Sequence, residues 1–160
     1  MAYTRQELEE LVGRHAPAVY RLAYARTGSR EDAEDVMQET FLRLLRRAPE
    51  LNGEEHLRAW LLRAAANCAN SLHRRPWRYE LPLEEEIAQT PPPEHGEVLT
   101  AVMALPEKYR IPVCLHYCEG YTTAEVAAIL GKKEATVRTW LFRARGLLRD
   151  MLTEEGTYEH

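Results

Sequence analysis

The sequence predicts an all-α protein built from two small helical domains joined by an acidic linker. Three observations carry that expectation. Apolar residues recur at helical spacing along the chain, and no segment alternates with the period of two that marks a strand. A single stretch, "PWRYELPLEEEIAQTPPPEHG", gathers five prolines and a glutamate cluster and reads as a linker. Charge follows the same division. Residues 1–79 hold 13 basic and 11 acidic side chains, residues 80–97 hold six acids and no base, and residues 98–153 hold eight bases and five acids. The last seven residues add three acids, so the net charge of −4 conceals two mildly basic blocks. Basic blocks set apart in this way point to nucleic acid more than the global balance does.

The expected organisation is a first domain over 1–76, a linker over 77–96, a second domain over 97–153 and an acidic tail over 154–160. With 45% hydrophobic and 29% charged residues in 160, each block has enough apolar side chains for a core. No 18-residue apolar run is present, which argues against membrane insertion. The start "MAYTRQELEELVGRH" lacks the basic-then-apolar pattern of a secretory signal, so a cytoplasmic location is expected. Three cysteines at unpaired spacing fit reduced thiols in that compartment.

Helix by helix, the stripe Leu8, Leu11, Val12, His15, Val19, Leu22 and Ala23 predicts a first helix over residues 4–27, closed by Gly28. Ser29 can cap the next helix, 30–47, with Asp32 three residues on. Its expected buried stripe is Ala33, Val36, Met37, Thr40, Phe41, Leu44 and Leu45. A third helix is expected from about Glu54 to Arg75, where Pro76 stops it, with Leu57, Trp60, Leu61, Ala64, Ala65, Cys68 and Leu72 inward. The second domain begins near Glu97. Pro106 suits the first turn of the following helix, and Pro112 inside that helix predicts a kink or a late start.

"TTAEVAAIL" opens with Thr122 and places Glu125 three residues later, a capping box, and Gly131 closes this short helix. "GKKE" then leads into "ATVRTWLFRARGLLRDML". A helix of about eight residues, a glycine turn and a longer basic helix make a helix-turn-helix. In the second helix Val137, Leu141, Ala144 and Leu148 should pack inward. Arg138, Phe142, Arg145 and Arg149 form an adjacent ridge, with Thr139 and Arg143 beside it. Arginine can bond guanine through two parallel hydrogen bonds in the major groove, while other arginines and backbone amides hold phosphates.

Two further faces stand out. Asp35, Gln38, Glu39 and Leu42, spaced i, i+3, i+4, i+7, put one apolar residue on a polar face opposite the buried stripe, which fits either a protein-docking surface with an apolar anchor or, more commonly, a solvated face with one stray leucine. The third helix carries Arg58, Asn67, Asn70, Ser71, Arg74 and Arg75 beside its apolar stripe, a set suited to bases and phosphates and, taken alone, equally to an exposed helix end.

"SREDAEDVMQETFLRLLRR", "HLRAWLLRAAANCANSLHRR" and "ALPEKYRIPVCLHYCEGYTTAEVAAILGKKEATVRTWLFRARGLL" occur in the order found in bacterial extracytoplasmic-function (ECF) sigma factors, which this chain resembles over about residues 5–152. The resemblance implies two all-helical domains, regions 2 and 4, on a flexible linker. It implies a subunit that binds core RNA polymerase, reads the promoter −10 and −35 elements and helps open the −10 duplex. Asp35, Gln38, Glu39 and Leu42 match the region 2 face that docks on the largest polymerase subunit. "LNGEEH" (51–56), with Asn52, matches the loop that captures an extruded −10 base, a step that costs a few kcal/mol of unstacking. Asn67, Asn70, Ser71, Arg74 and Arg75 match the helix lining the −10 strand. Arg138, Thr139, Phe142 and Arg143 match the positions that read the −35 major groove, with Lys132, Lys133 and Arg145 on phosphates and Thr136 in the same −35 DNA set. Residues near 106–121 resemble the part that sits on the flap of the second-largest subunit, and the linker glutamates Glu84, Glu85 and Glu86 would mimic phosphate charge in polymerase channels. An anti-sigma factor is the further partner the resemblance implies.

The chain departs from that pattern at three places: Trp140 replaces a frequent basic residue, Asn70 and Ser71 stand where an aliphatic residue and an aspartate are common, and Pro112 is unusual within its helix. Cys114, His116 and Cys118 do not share one helical face, so no metal site is expected. With no phosphate-binding glycine loop, nucleophile elbow or paired carboxylates, neither catalysis nor a cofactor is expected. The reading is an alternative ECF sigma factor. A free-standing helix-turn-helix regulator would leave the Asp35/Gln38/Glu39/Leu42 face unexplained, and a sigma mimic that binds only an anti-sigma protein would carry weakened DNA-reading residues.

Overall fold

The computed structural model describes residues 3–47, 49–72 and 96–158. Among these, every regular element is helical: α1 (Arg5–Thr27), α2 (Arg30–Arg47) and α3 (Glu54–Leu72), then α4 (Gly96–Met103), α5 (Glu107–Val113), a π-helical turn (Cys114–Cys118), α6 (Thr123–Leu130) and α7 (Glu134–Tyr158). They fall into two compact units, α1 to α3 in the first and α4 to α7 in the second.

In the first unit α1, α2 and α3 each pack against the other two. Thr4 caps α1 reciprocally with Glu7: the Glu7 amide donates to Thr4 Oγ1 at 3.1 Å and the Thr4 amide to Glu7 Oε1 at 3.2 Å. Gly28 ends α1 in the left-handed conformation (φ 68°), where its lack of Cβ removes the steric cost. The Asp32 amide then donates to Ser29 Oγ at 3.2 Å, the cap expected for α2. Leu11, Val19, Leu22, Val36, Leu44 and Leu61 meet in the core. Thr40 is fully buried, and its hydroxyl is satisfied by donating to the Val36 carbonyl at 2.7 Å. Of the stripes expected to be buried, Leu8, Val12, Met37, Leu45 and Trp60 are only half-buried. Conversely, α3 also buries Leu62, Ala66 and Ala69, because two neighbouring helices cover more of its circumference than one stripe.

The second unit packs α7 against α5 and α6, with α4 closing on α5. Pro106 is the residue just before α5 rather than inside its first turn. The helix starts at Glu107 and runs through Pro112, so there is no late start. Proline offers no N–H to the carbonyl four residues back, and the turn directly after α5 widens. There the Glu119 amide donates to the Cys114 carbonyl, five residues earlier, at 3.1 Å. Thr122 and Glu125 form the expected capping box, at 3.2 and 2.9 Å, and Gly131 closes α6 with φ 66°. Val137, Leu141 and Ala144 are buried as expected, whereas Leu148 is half-buried near the end of the packed face.

Candidate nucleic-acid and protein interfaces

The polar face of α2 is built by its own periodicity. Burying Ala33, Val36, Thr40 and Leu44 turns Gln38 and Leu42 to the outside, and Leu42 remains 47% exposed. Asp35 and Glu39 are half-exposed on the same side. Glu39 accepts from Arg43 Nε at 3.1 Å and from Arg46 Nη2 at 3.2 Å. Partial burial pushes the Glu39 carboxyl upward, but these two guanidinium groups outweigh it and hold the group below its ordinary range. The face therefore presents a carboxylate already oriented by its own helix, an amide and an uncovered leucine. Beside Gln38, a shallow groove between α1 and α2 is lined by Gly13, Ala16, Pro17, Tyr20 and Met37.

At the start of α3, Glu54 ties the helix to α1: it accepts from Arg14 Nη2 at 2.8 Å and lies 2.8 Å from His15 Nε2. The hydrogen bond with His15 holds the Glu54 carboxyl below its usual range, partial burial opposes this, and Arg14 adds to the lowering. A folded-state value below the unfolded one adds stability above about pH 4.5, and this is lost as pH falls through the folded value. Urea melts should show wild-type stability falling more steeply than that of Glu54→Gln between about pH 5 and pH 3. The difference is small because the carboxylate is half exposed to screening water. Parallel pH profiles would remove this role.

Asn52 is exposed in the preceding loop, where its backbone amide donates to His56 Nδ1 at 3.0 Å. Asn67, Asn70 and Ser71 lie exposed on the distal part of α3. The structure separates these two groups: sixteen residues of helix from Glu54 to Asn70 span about 24 Å. They lie at opposite ends of α3 rather than in one pocket. Asn70 is also held, its Oδ1 accepting from Arg26 Nε of α1 at 2.8 Å, a contact across 44 residues that periodicity does not reveal. Arg74, Arg75 and the linker as far as residue 95, including Glu84, Glu85 and Glu86, lie outside the described residues.

The helix-turn-helix presents the remaining group together. Lys132 and Lys133 are exposed in the turn after Gly131, and the Lys133 carbonyl accepts from Thr136 and Val137 at 3.0 and 3.2 Å, which starts α7. Thr136 is half-buried, while Arg138, Thr139, Phe142, Arg143 and Arg145 are exposed. Arg138 pairs with Glu134 at 3.0 Å, an exposed i,i+4 contact that is weak enough to exchange for another anion. The Thr139 hydroxyl donates to the Ala135 carbonyl at 3.0 Å. Phe142 is 73% exposed, more than any other large hydrophobic side chain among the described residues. Trp140 stands three positions from buried Val137 and is half-buried, so packing rather than charge occupies that position. Cys114 and Cys118 belong to the π turn, and His116 Nδ1 is engaged 2.7 Å from the Tyr121 carbonyl. No group of three metal-ligating side chains occurs among the described residues.

Residues 11–79 match the Sigma-70 region 2 family and residues 95–148 match Sigma-70 region 4. The chain is 31% identical over 157 residues to the ECF RNA polymerase sigma factor SigM of Mycobacterium tuberculosis, covering 95% of this chain and 80% of that relative. The chain belongs to the ECF sigma factors. It is also 35% identical over 162 residues to the ECF sigma factor SigE of Mycolicibacterium smegmatis, spanning 93% of this chain but 63% of the length of SigE. Its fold resembles that of the sigma factor RpoE of Bartonella quintana, crystallised with the anti-sigma factor NepR. The TM-score is 0.73 at 22% identity, covering 91% of this chain and 96% of that one. The first helical unit is thus a region 2 unit and the second a region 4 unit, and no described helix of this sigma-family chain is long and apolar enough to cross a membrane.

Proposed function

We propose that this chain is an alternative sigma factor of the ECF type, which brings core RNA polymerase to specific promoters and performs no catalysis of its own. One observation carries the reading. The two most exposed large hydrophobic side chains among the described residues, Phe142 and Leu42, each sit within a polar face that has a separate partner to meet. Exposed apolar side chains of this size cost a free protein solubility and are useful once covered. Leu42, with Asp35, Gln38 and Glu39, docks on the largest polymerase subunit. Phe142 meets a thymine methyl group in the −35 major groove, where Arg138, Thr139 and Arg143 address base edges. Lys132, Lys133, Thr136 and Arg145 hold the flanking backbone.

In the region 2 unit, Asn52 in the loop before α3 meets an extruded −10 base, and Asn67, Asn70, Ser71, Arg74 and Arg75 line the opened strand. The length of α3 between these groups suits a strand that follows the helix rather than a single bound base. Asn70 would exchange its hydrogen bond with Arg26 for one with a base. The protein works in the cytoplasm, and an anti-sigma protein that covers these faces is its regulating partner, as the family suggests.

Transcription from a linear template by purified core enzyme, with and without this chain, tests the proposal, using a promoter selected from a library randomised at both elements. Initiation that depends on both the chain and the promoter is expected, and binding of DNA without core polymerase, with no initiation, would replace it by a free-standing regulator. Arg143→Ala should weaken holoenzyme binding to the selected −35 element by roughly 1–3 kcal/mol and relax the preference at one base pair. Unchanged affinity and preference would remove the base-reading role of Arg143.

A further inference from the structure

Tyr117 follows Phe142 and Leu42 as the next most exposed large hydrophobic side chain among the described residues, at 45%. It belongs to the segment that resembles the flap-facing part of the family, but its side chain joins a different surface. The π turn carries Cys114 and Leu115 inward and leaves Tyr117 outward. Its ring meets His116 edge-on, with centroids 4.7 Å apart at 83°. The His116 ring is fixed in turn: a carbonyl only accepts, so Nδ1 carries the proton that bonds the Tyr121 oxygen at 2.7 Å. The Tyr117 hydroxyl lies 3.2 Å from Arg145 Nη1.

A guanidinium has no acceptor, so Arg145 donates in this bond and the phenolic O–H is left to donate elsewhere. Arg145 keeps its other N–H groups. Two donors from different elements, one charged and one neutral, therefore converge at an exposed point and suit a single anionic oxygen acceptor. Their location narrows the anion. Arg145 lies on the ridge of Arg138 and Phe142, seven residues beyond Arg138 and so about 10 Å further along the helix. The major groove is about 8.5 Å deep, so a helix entering by its first turns has reached the groove rim at this distance, where the phosphates are.

We propose that Tyr117 and Arg145 together clamp one backbone phosphate at the rim of the −35 major groove. The proposal rests on the −35 reading of α7 and adds to it a contact supplied by the turn before the helix-turn-helix. Such a contact fixes the register of the recognition helix and carries no base preference.

The test uses holoenzyme assembled from the full chain, with binding to the selected promoter duplex followed by fluorescence anisotropy over a salt series. Tyr117→Phe should weaken binding roughly five- to tenfold, equally on duplexes that differ in −35 sequence. Removing a neutral donor releases no fewer counterions, so the slope of log affinity against log salt stays unchanged. Arg145→Ala should reduce that slope by about 0.9. Tyr117→Phe should cost clearly less in the Arg145→Ala background, because one phosphate is shared. Wild-type DNA affinity in Tyr117→Phe, with or without a lowered melting temperature, would leave only an internal contact and overturn the clamp. So would a changed base preference, or a loss of affinity for core polymerase in place of DNA. Arg143→Ala separates the two levels: if it weakens binding and Tyr117→Phe does not, the clamp alone fails, and if neither does, the −35 reading fails with it.

Discussion

Leu141→Ala should dismantle the helix-turn-helix while leaving the region 2 unit able to dock on polymerase. Leu141 is 1% exposed, between Val137 and Ala144, on the face of α7 that meets α5 and α6. Truncating a buried leucine costs about 2–5 kcal/mol through lost transfer energy and the cavity left behind. A unit of this size has roughly 3–10 kcal/mol of stability in all, so the loss takes a large share of it. Thermal melting of the full chain followed by circular dichroism should show the second unit melting about 10 °C or more lower, with −35 binding lost at the same temperature. Leu147→Ala, on the same helix but 38% exposed, is the control and should change stability by less than about 0.5 kcal/mol. Equal effects of the two substitutions would mean that α7 does not pack as described.

Leu42→Asp tests the other interface, with the fold held constant. Leu42 is 47% exposed on α2, so its removal leaves no cavity and the melting temperature should stay within a degree or two of wild type. Apolar anchors near the centre of an interface dominate binding, and an aspartate there would also have to be desolvated against the partner. Affinity for core polymerase should fall at least tenfold, ~1.4 kcal/mol or more, in a competition assay with labelled wild-type chain. Affinity within a factor of two of wild type would show that this face docks elsewhere or nowhere. Glu39→Gln is expected to be milder, because Arg43 and Arg46 already neutralise much of the Glu39 charge in the free protein.

Where local physics decides, the sequence was legible. Gly28 and Gly131 end their helices because each stop needs a left-handed residue, and Ser29 and Thr122 begin theirs because the first amides of a helix need an acceptor. The Thr4 and Glu7 box carries the same signal as Thr122 and Glu125 and could have been read from its spacing. The exposed residues of α2 and α7 were also within reach, since a helix that buries one stripe must present the opposite one.

Contacts between elements were not legible. Nothing in the spacing of Arg26 and Asn70, of Arg14, His15 and Glu54, or of Tyr117 and Arg145 marks them as partners, because each pair is made by helix packing and not by helix periodicity. The burial of Leu62, Ala66 and Ala69 beyond the expected stripe of α3 has the same origin, as does the half-burial of Trp140. Pro112 carries a related lesson. A proline inside a helix predicts a disturbance, but whether the chain kinks, starts late or widens into a π turn depends on what the surrounding core will accept.

By itself the sequence determined two helical units, the glycine stops and side-chain caps that bound several of their helices, and the exposed stripes of α2 and α7, since these follow from hydrogen-bond needs and a 3.6-residue period. Only the tertiary structure decided which of those exposed residues meet. It joined a tyrosine of one turn to an arginine of the recognition helix, because side chains distant in sequence become neighbours only when the cores beneath them are packed.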